Sequence, residues 1–236
     1  MFALAILGGS VLAEGGVQVP SPSYWASFNG SLDSDKVESQ GGFSLSGAAS
    51  EYVDVGASES ENKAWSVAGD RWGSQTILDP ESGTFTLSVM AKLGTVDNGV
   101  LLSFVNNNSE KRGLVLRRGN ENQMIVTTGT STDPVITANV PNCGETYNNY
   151  VLVADNGELT LYVNGEPVKN ENGEIVRVEV DASDLISGSN FQPGRRFGGV
   201  ISGESNGNGA IDEMTVWKST ALSSEQVMEL YYSYLA

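Results

Sequence analysis

The sequence predicts an all-β protein, an antiparallel sandwich or barrel, with one short helix at its C-terminal end. Three observations predict it. About a dozen short runs alternate apolar and polar residues, the period of a half-buried strand. Turn signals separate these runs, and Gly is frequent (28) while Pro is sparse (7), as expected where many tight turns reverse a chain. No repeat-length period and no heptads run through the 236 residues, which excludes solenoids and coiled coils. The length suits a single sandwich with a sizeable core.

Residues 1–20 are expected to be a secretory signal segment or linker. Residues 2–13 are apolar and short, and Val11 and Ala13 stand where a signal cleavage site before Glu14 would place small residues. The basic n-region of a full signal is missing, so the segment reads as a truncated one. Residues 14–23 are rich in Gly, Pro and Ser. The domain proper is expected over 21–236, in a secreted or cell-surface protein.

The first strand is Tyr24–Phe28, where large apolar residues alternate with small ones, and Asn29-Gly30 with Asp33 and Asp35 forms a polar turn after it. Strands are expected at Phe43–Leu45 and Glu51–Val55. Residues 56–83 hold Trp65, Arg71 and Trp72 among Ser, Gly and Asp, and are expected to be irregular, a feature of functional segments. Thr84–Lys92 then alternates cleanly, one face core and the other mixed. Asp97-Asn98-Gly99 turns the chain into Val100–Val105, and Asn106, Asn107 and Asn108 make a polar loop. Gly113–Arg117 and Gln123–Thr127 follow. Asn149–Ala154 and Glu158–Val163 form the clearest hairpin, with Asn156-Gly157 and Asn164-Gly165 as turns that favour positive φ. Glu174–Val180, Phe197–Ile201 and the run Gly209–Trp217 complete the strands. After the last of these, Ser223 and Gln226 have the spacing of a capping box and Leu222 with Val227 that of a hydrophobic staple. Val227, Leu230, Tyr231 and Tyr234 would share one helix face.

Composition removes several functions. A net charge of −16 argues against a nucleic-acid partner, which needs Lys and Arg against its phosphates. No later stretch has the length of a membrane-spanning helix. The absence of His removes Ser-His-Asp and Cys-His catalysis and the usual zinc site. The single Cys143 cannot form an internal disulfide and is expected to be a buried free thiol.

Four segments carry a family resemblance: Tyr24–Gly30, Gly83–Val89, Leu159–Glu166 ending its strand in Asn-Gly, and Ile211-Asp212-Glu213 through Trp217 followed by Ala221-Leu222-Ser223. Over about residues 22–236 the chain resembles the laminin-G-like, concanavalin A-like jelly-roll domains of secreted and surface bacterial proteins. The resemblance implies an antiparallel two-sheet jelly-roll β-sandwich. It also implies a non-catalytic carbohydrate-binding or adhesion role toward a glycan or glycoprotein, beside other domains of a longer chain. The same fold hosts glycosidases and lyases, so a carbohydrate-active enzyme is the alternative, and a structural spacer a second.

Glucanases of this fold resemble a Glu-x-Asp-x-Glu pattern. Here Ala210, Asp212 and Met214 take those places, which leaves Asp212 alone on its face, with Glu213 on the other. The expectation is therefore no catalysis. Asn29, Asp33, Asp35 and Asp212 supply the oxygen ligands that Ca²⁺ prefers, if the first and last strands lie together. Against this, Asp212 could simply accept backbone N–H bonds. Trp65, Arg71, Trp72 and Asn106–Asn108 are the candidate glycan contacts, with a core role as the plainer reading of each Trp. Arg117-Arg118 and Arg195-Arg196 could hold an acidic sugar or pair with surface carboxylates.

Overall fold

The computed structural model describes residues 17–26, 45–46, 52–54, 63–66, 72–73, 83–105, 112–120, 122–128, 133–181, 184, 190–193, 205–206 and 208–235. Its first strands are β1 (Tyr24–Ala26), β2 (Leu45–Ser46), β3 (Tyr52–Asp54), β4 (Lys63–Ser66) and β5 (Trp72–Gly73). Next come β6 (Phe85–Lys92), β7 (Gly99–Val105), β8 (Arg112–Arg118), β9 (Gln123–Thr127), β10 (Ile136–Asn139), β11 (Asn148–Asp155) and β12 (Glu158–Val163). The last are β13 (Glu166–Pro167), β14 (Arg177–Glu179), β15 (Asn190–Pro193), β16 (Ser205–Asn206) and β17 (Ala210–Lys218), and the helix α1 spans Ser224–Leu235.

They build an antiparallel two-sheet sandwich, as the jelly-roll expectation requires. The larger sheet runs β13-β12-β11-β6-β17-β4-β3, with β1 on β17 and β14 on β12. The second runs β10-β9-β8-β7-β15, with β16 beside β7, while β2 and β5 pair separately. Alternation drives the packing. Phe85, Leu87, Val89 and Ala91 of β6 and Tyr150, Leu152 and Ala154 of β11 meet Leu102, Phe104, Leu116, Met124 and Val126 of the second sheet.

The other face of β6 departs from expectation. Thr86 and Ser88 are as fully buried as the core residues, because α1 lies over this face. Val151, Val153, Tyr162 and Trp217 from the sheet pack with Leu222, Val227 and Leu230. The expected cap is present: Ser223 N donates to Gln226 Oε1 at 2.9 Å, and Gln226 N to Ser223 Oγ at 3.3 Å. Thr86 stitches the approach to the helix, its hydroxyl donating to Thr220 O at 2.9 Å and accepting from Leu222 N at 3.0 Å. Val19 joins the same cluster, and Trp217 Nε1 donates to Pro20 O at 2.7 Å.

Both hairpin turns flanking β12 have the expected chemistry. Asn156 and Gly157 have φ 50 and 89, and Asn164 and Gly165 have φ 52 and 83, the paired left-handed geometry of tight turns. Cys143 is a buried free thiol. The irregular reading of 56–83 is corrected in part, because β4 and β5 put Trp65 and Trp72 on strands. Such short pieces show no period of their own and form by pairing with β17 and β2. The Phe197–Ile201 strand lies outside the described residues.

Trp217 is 2% exposed and touches both helix and N-terminal segment. Trp217→Ala should therefore lower unfolding stability in urea by about 3–5 kcal/mol. A loss under about 1 kcal/mol, the range of an ordinary surface change, would contradict this packing of α1.

Candidate functional site

The register of β17 against β6 decides where its carboxylates go. From Lys218↔Phe85 to Glu213↔Met90 the pairing is one to one, and it resumes at Ile211↔Ala91. Asp212 is the extra residue, so the strand carries a β-bulge there. The bulge changes the faces. Ile211, Met214 and Val216 all enter the core, while Ala210 pairs with Lys92 on the opposite face. The expected line of Ala210, Asp212 and Met214 on one face is thus corrected: a two-residue period fails across an inserted residue.

Asp212 is 9% exposed, and its Oδ1 is fully buried with no hydrogen-bond partner. Burial pushes its carboxyl up from 3.8 to about 7, because a low-dielectric site disfavours the charged form. Tyr147 stands within its field. Burial, and then the charge of Asp212, push the Tyr147 phenol upward, and its hydroxyl is also buried without a partner. Lys92 Nζ lies 5.6 Å from the Tyr147 ring centroid, a cation–π distance. Glu213 faces α1, where burial and then the Glu213 charge raise the Tyr234 phenol. Tyr234 Oη lies 3.4 Å from Ser88 Oγ, which accepts from Asn149 Nδ2 at 2.9 Å.

Loops fix this end of the sandwich. Asn208 Oδ1 accepts from Thr95 N at 2.8 Å and Val96 N at 3.1 Å. Gly94 has φ 75, and a Cβ there would lie 2.3 Å from Asn208 Oδ1, so only glycine allows the approach. Arg118 Nη1 donates to Gly94 O, and its Nε lies 3.7 Å from Asp97 Oδ1. Arg117 Nη1 donates to Asn98 Oδ1 at 2.5 Å. The Arg pair thus serves loop structure and a carboxylate.

The structure brings some of the expected residues together. Trp65 is registered to Ile211, beside Asp212. β1 pairs antiparallel with β17, and Ala26 faces Met214, so the chain leaves β1 near the bulge and the first and last strands do lie together. Trp72 sits on β5, which is paired with β2. Arg71, Asn106, Asn107, Asn108, Asn29, Asp33 and Asp35 lie outside the described residues, as do Arg195 and Arg196. Among the described residues no group of three His, Cys, Asp or Glu could hold a metal ion. Tyr147, whose phenol feels the Asp212 charge, and Lys92 over the Tyr147 ring escape sequence reasoning, because only the β6–β11–β17 order brings their segments together.

Chemically, the site offers a carboxyl poised near neutrality and a phenol, both with unused hydrogen-bonding capacity. Oδ1 and the phenol oxygen are themselves closed to solvent, while Asp212 as a whole keeps 9% exposure, so a hydroxyl group or an oxygen-seeking cation would meet the carboxyl at its exposed edge. Burial is the one cause behind the raised Asp212 carboxyl.

These features define a concanavalin A-like sandwich with a polar sheet end. A family model described as the concanavalin A-like lectin/glucanases superfamily matches residues 71–228. The chain belongs to this superfamily, in its laminin-G branch. Trypanosoma rangeli sialidase shares the fold at TM-score 0.63 and 16% identity, over 93% of this chain and 34% of that one. Domain 4 of an extracellular arabinanase from Geobacillus stearothermophilus, solved with arabinotriose, matches at TM-score 0.61 and 16% identity, over 89% of this chain and 98% of that one. A ganglioside-dependent botulinum neurotoxin type C structure matches at TM-score 0.60 and 12% identity, over 89% and 50%. The chain spans about a third of the sialidase length. No curated protein sequence matches it.

The carboxyl of Asp212 gives a pH signature. Its folded pKa lies above its unfolded one, so the unfolded state loses the proton first as pH rises. In chelator-treated protein, stability should fall from about pH 4 to about pH 7 and then level, by at most on the order of 4 kcal/mol. Asp212→Asn should flatten this slope, matching wild type near pH 4 and exceeding it near pH 8. Parallel urea-stability curves for the two proteins would contradict the assignment.

Proposed function

We propose that the chain is a non-catalytic carbohydrate-binding or adhesion module of a secreted or cell-surface protein, joined to other domains. Its partner would be a glycan or glycoprotein. The observation that carries this reading is the concanavalin A-like architecture with its loop-bearing sheet end, where Asp212 Oδ1 and Tyr147 Oη keep unused hydrogen-bonding capacity beneath the surface. Saccharide hydroxyls both donate and accept, so they suit a half-protonated carboxyl beside a phenol. The neighbours support the class: a sialidase, an arabinanase domain holding arabinotriose and a ganglioside-dependent toxin share this architecture. The non-catalytic part rests on the bulge and on burial as the single cause of the Asp212 shift. Among the described residues, no helix is long and apolar enough to cross a membrane.

Calcium fits one donor of this site. A buried carboxylate oxygen without a hydrogen-bond partner is an incomplete charge that a hard cation would complete. Asp212 would be a ligand, with Asn29, Asp33 and Asp35 as the further oxygen donors. The ion would hold the chain after β1 against β17, a structural rather than chemical task.

Two measurements test these statements. On a glycan array, wild-type protein should be retained by a defined set of glycans, and Asp212→Asn or Trp72→Ala should weaken retention at least several-fold, the loss of one hydrogen-bonded or stacked contact. Polysaccharide turnover that disappears with one Asp or Glu substitution would overturn the non-catalytic reading. Retention by no glycan, with no protein partner either, would favour a spacer. For calcium, chelator should lower the thermal midpoint, since a ligand bound only to the native state raises it. An unchanged midpoint would contradict a structural ion.

A further inference from the structure

The opposite end of the large sheet carries a groove that the Asp212 site does not use. Its cavity, about 470 Å³, lies between the outer face of the β11–β12 hairpin, β14 and the start of α1. Val153, Thr160 and Tyr162 form the floor, and Leu222, Ser224 and Arg177 are among the wall residues. Asn148 and Asp155 bound β11, so the two ends lie roughly 23 Å apart at strand rise.

Three features of the groove point to a ligand. Thr160 is 7% exposed and faces the cavity, yet its hydroxyl makes no hydrogen bond to a described residue. The oxygen is open to the groove rather than sealed from it, so it can donate to and accept from whatever fills that space. Beside it, Tyr162 Oη and Ser224 Oγ are paired at 3.0 Å, which leaves acceptor capacity on both hydroxyls. Polar groups therefore converge beside Val153 and Leu222, in a volume within the range of small-molecule sites.

Charge selects the class. Asp155, Glu158 and Glu225 line the groove against one cation, Arg177, and Arg177 Nε already lies 3.7 Å from Glu158 Oε1. The helix N-terminus attracts no outside anion, because Ser223 and Gln226 cap it and Glu225 is held there by the Ser223 hydroxyl at 2.8 Å. A carboxylated or sulfated sugar would meet net repulsion.

We propose that this groove is a second saccharide subsite, for a neutral hydroxyl-rich sugar unit contacted by Thr160, Tyr162, Ser224 and Arg177. The proposal rests on the carbohydrate-binding reading and adds a second point of attachment. A module with sites at both sheet ends can bridge two glycan chains, or hold one long chain at two points, so its retention on a dense polysaccharide exceeds either site alone.

The test is amide chemical-shift mapping of the intact chain. The probes are neutral sugars (arabinose, xylose, glucose, galactose and mannose, each with its trisaccharide) and glucuronate as the acidic control. The expected result is saturable shifts at Thr160, Tyr162, Arg177 and Ser224 with at least one neutral probe and none with glucuronate. Thr160→Val keeps shape while removing the hydroxyl and should weaken that affinity about 2- to 10-fold, the value of one hydrogen bond. Its amide spectrum away from the groove verifies its fold. The groove shifts should persist in Asp212→Asn, so a failure at the Asp212 end is read separately. No shift at the four amides with any neutral probe, equal shifts with glucuronate, or an unweakened Thr160→Val would each overturn the proposal.

Discussion

β17 lies between β6 and β4 in the larger sheet, and its antiparallel ladder with β6 fixes both faces of the sandwich. Through most of its length the pairing is regular, which commits Met214 and Val216 to the core and Thr215 and Trp217 to the face under α1. One extra residue near the start of the strand breaks the pattern. A bulge is the way a ladder admits that residue without shifting every later side chain to the wrong face. Asp212 is that residue, and its burial without a hydrogen-bond partner follows from the insertion.

The remaining elements work around this constraint. Burial on both faces lets the central strands hold polar residues such as Thr86 and Ser88, provided their hydroxyls find partners in the helix approach, Asn149 or Tyr234. The helix carries no ligand chemistry in its apolar stripe. It seals one face and its capped start forms a wall of the groove at the far end. The loop bearing Gly94 and Asn208 stiffens the other end, and the Arg117 and Arg118 side chains are spent on it. A rigid sheet with differently built ends is suited to presenting contacts rather than to moving them.

Much of the architecture is legible in the sequence. Alternation locates β6, β9, β11 and β12 to within a residue or so, because a strand half-buried against a core must alternate. Asn-Gly pairs locate the turns, because few other residues accept positive φ twice in succession. The helix start is legible from Ser223 and Gln226. The site is less so. Alternation assumes an unbroken ladder, and the residues of a bulge look like any others, so Asp212 and Glu213 are misplaced relative to Ala210 and Met214. Tyr147 is distant in sequence from Asp212 and comes within its field only through strand order, as Lys92 comes to the Tyr147 ring. Trp65 and Trp72 sit in strands too short to show a period, and those strands exist because longer partners supply the pairing. Asp212 stands out in sequence as one of two adjacent acids in an apolar strand, and the structure narrows it to a carboxyl with unused hydrogen-bonding capacity.

The protonation of Asp212 tests this account most directly, by following its side-chain carboxyl carbon by NMR across pH in chelator-treated protein. The account predicts a single titration centred at about 7, moving well downward when calcium is added. A midpoint near 4, the ordinary value for a solvated aspartate, would mean that the carboxyl is already solvated or partnered, and the bulge would then have no role in recognition.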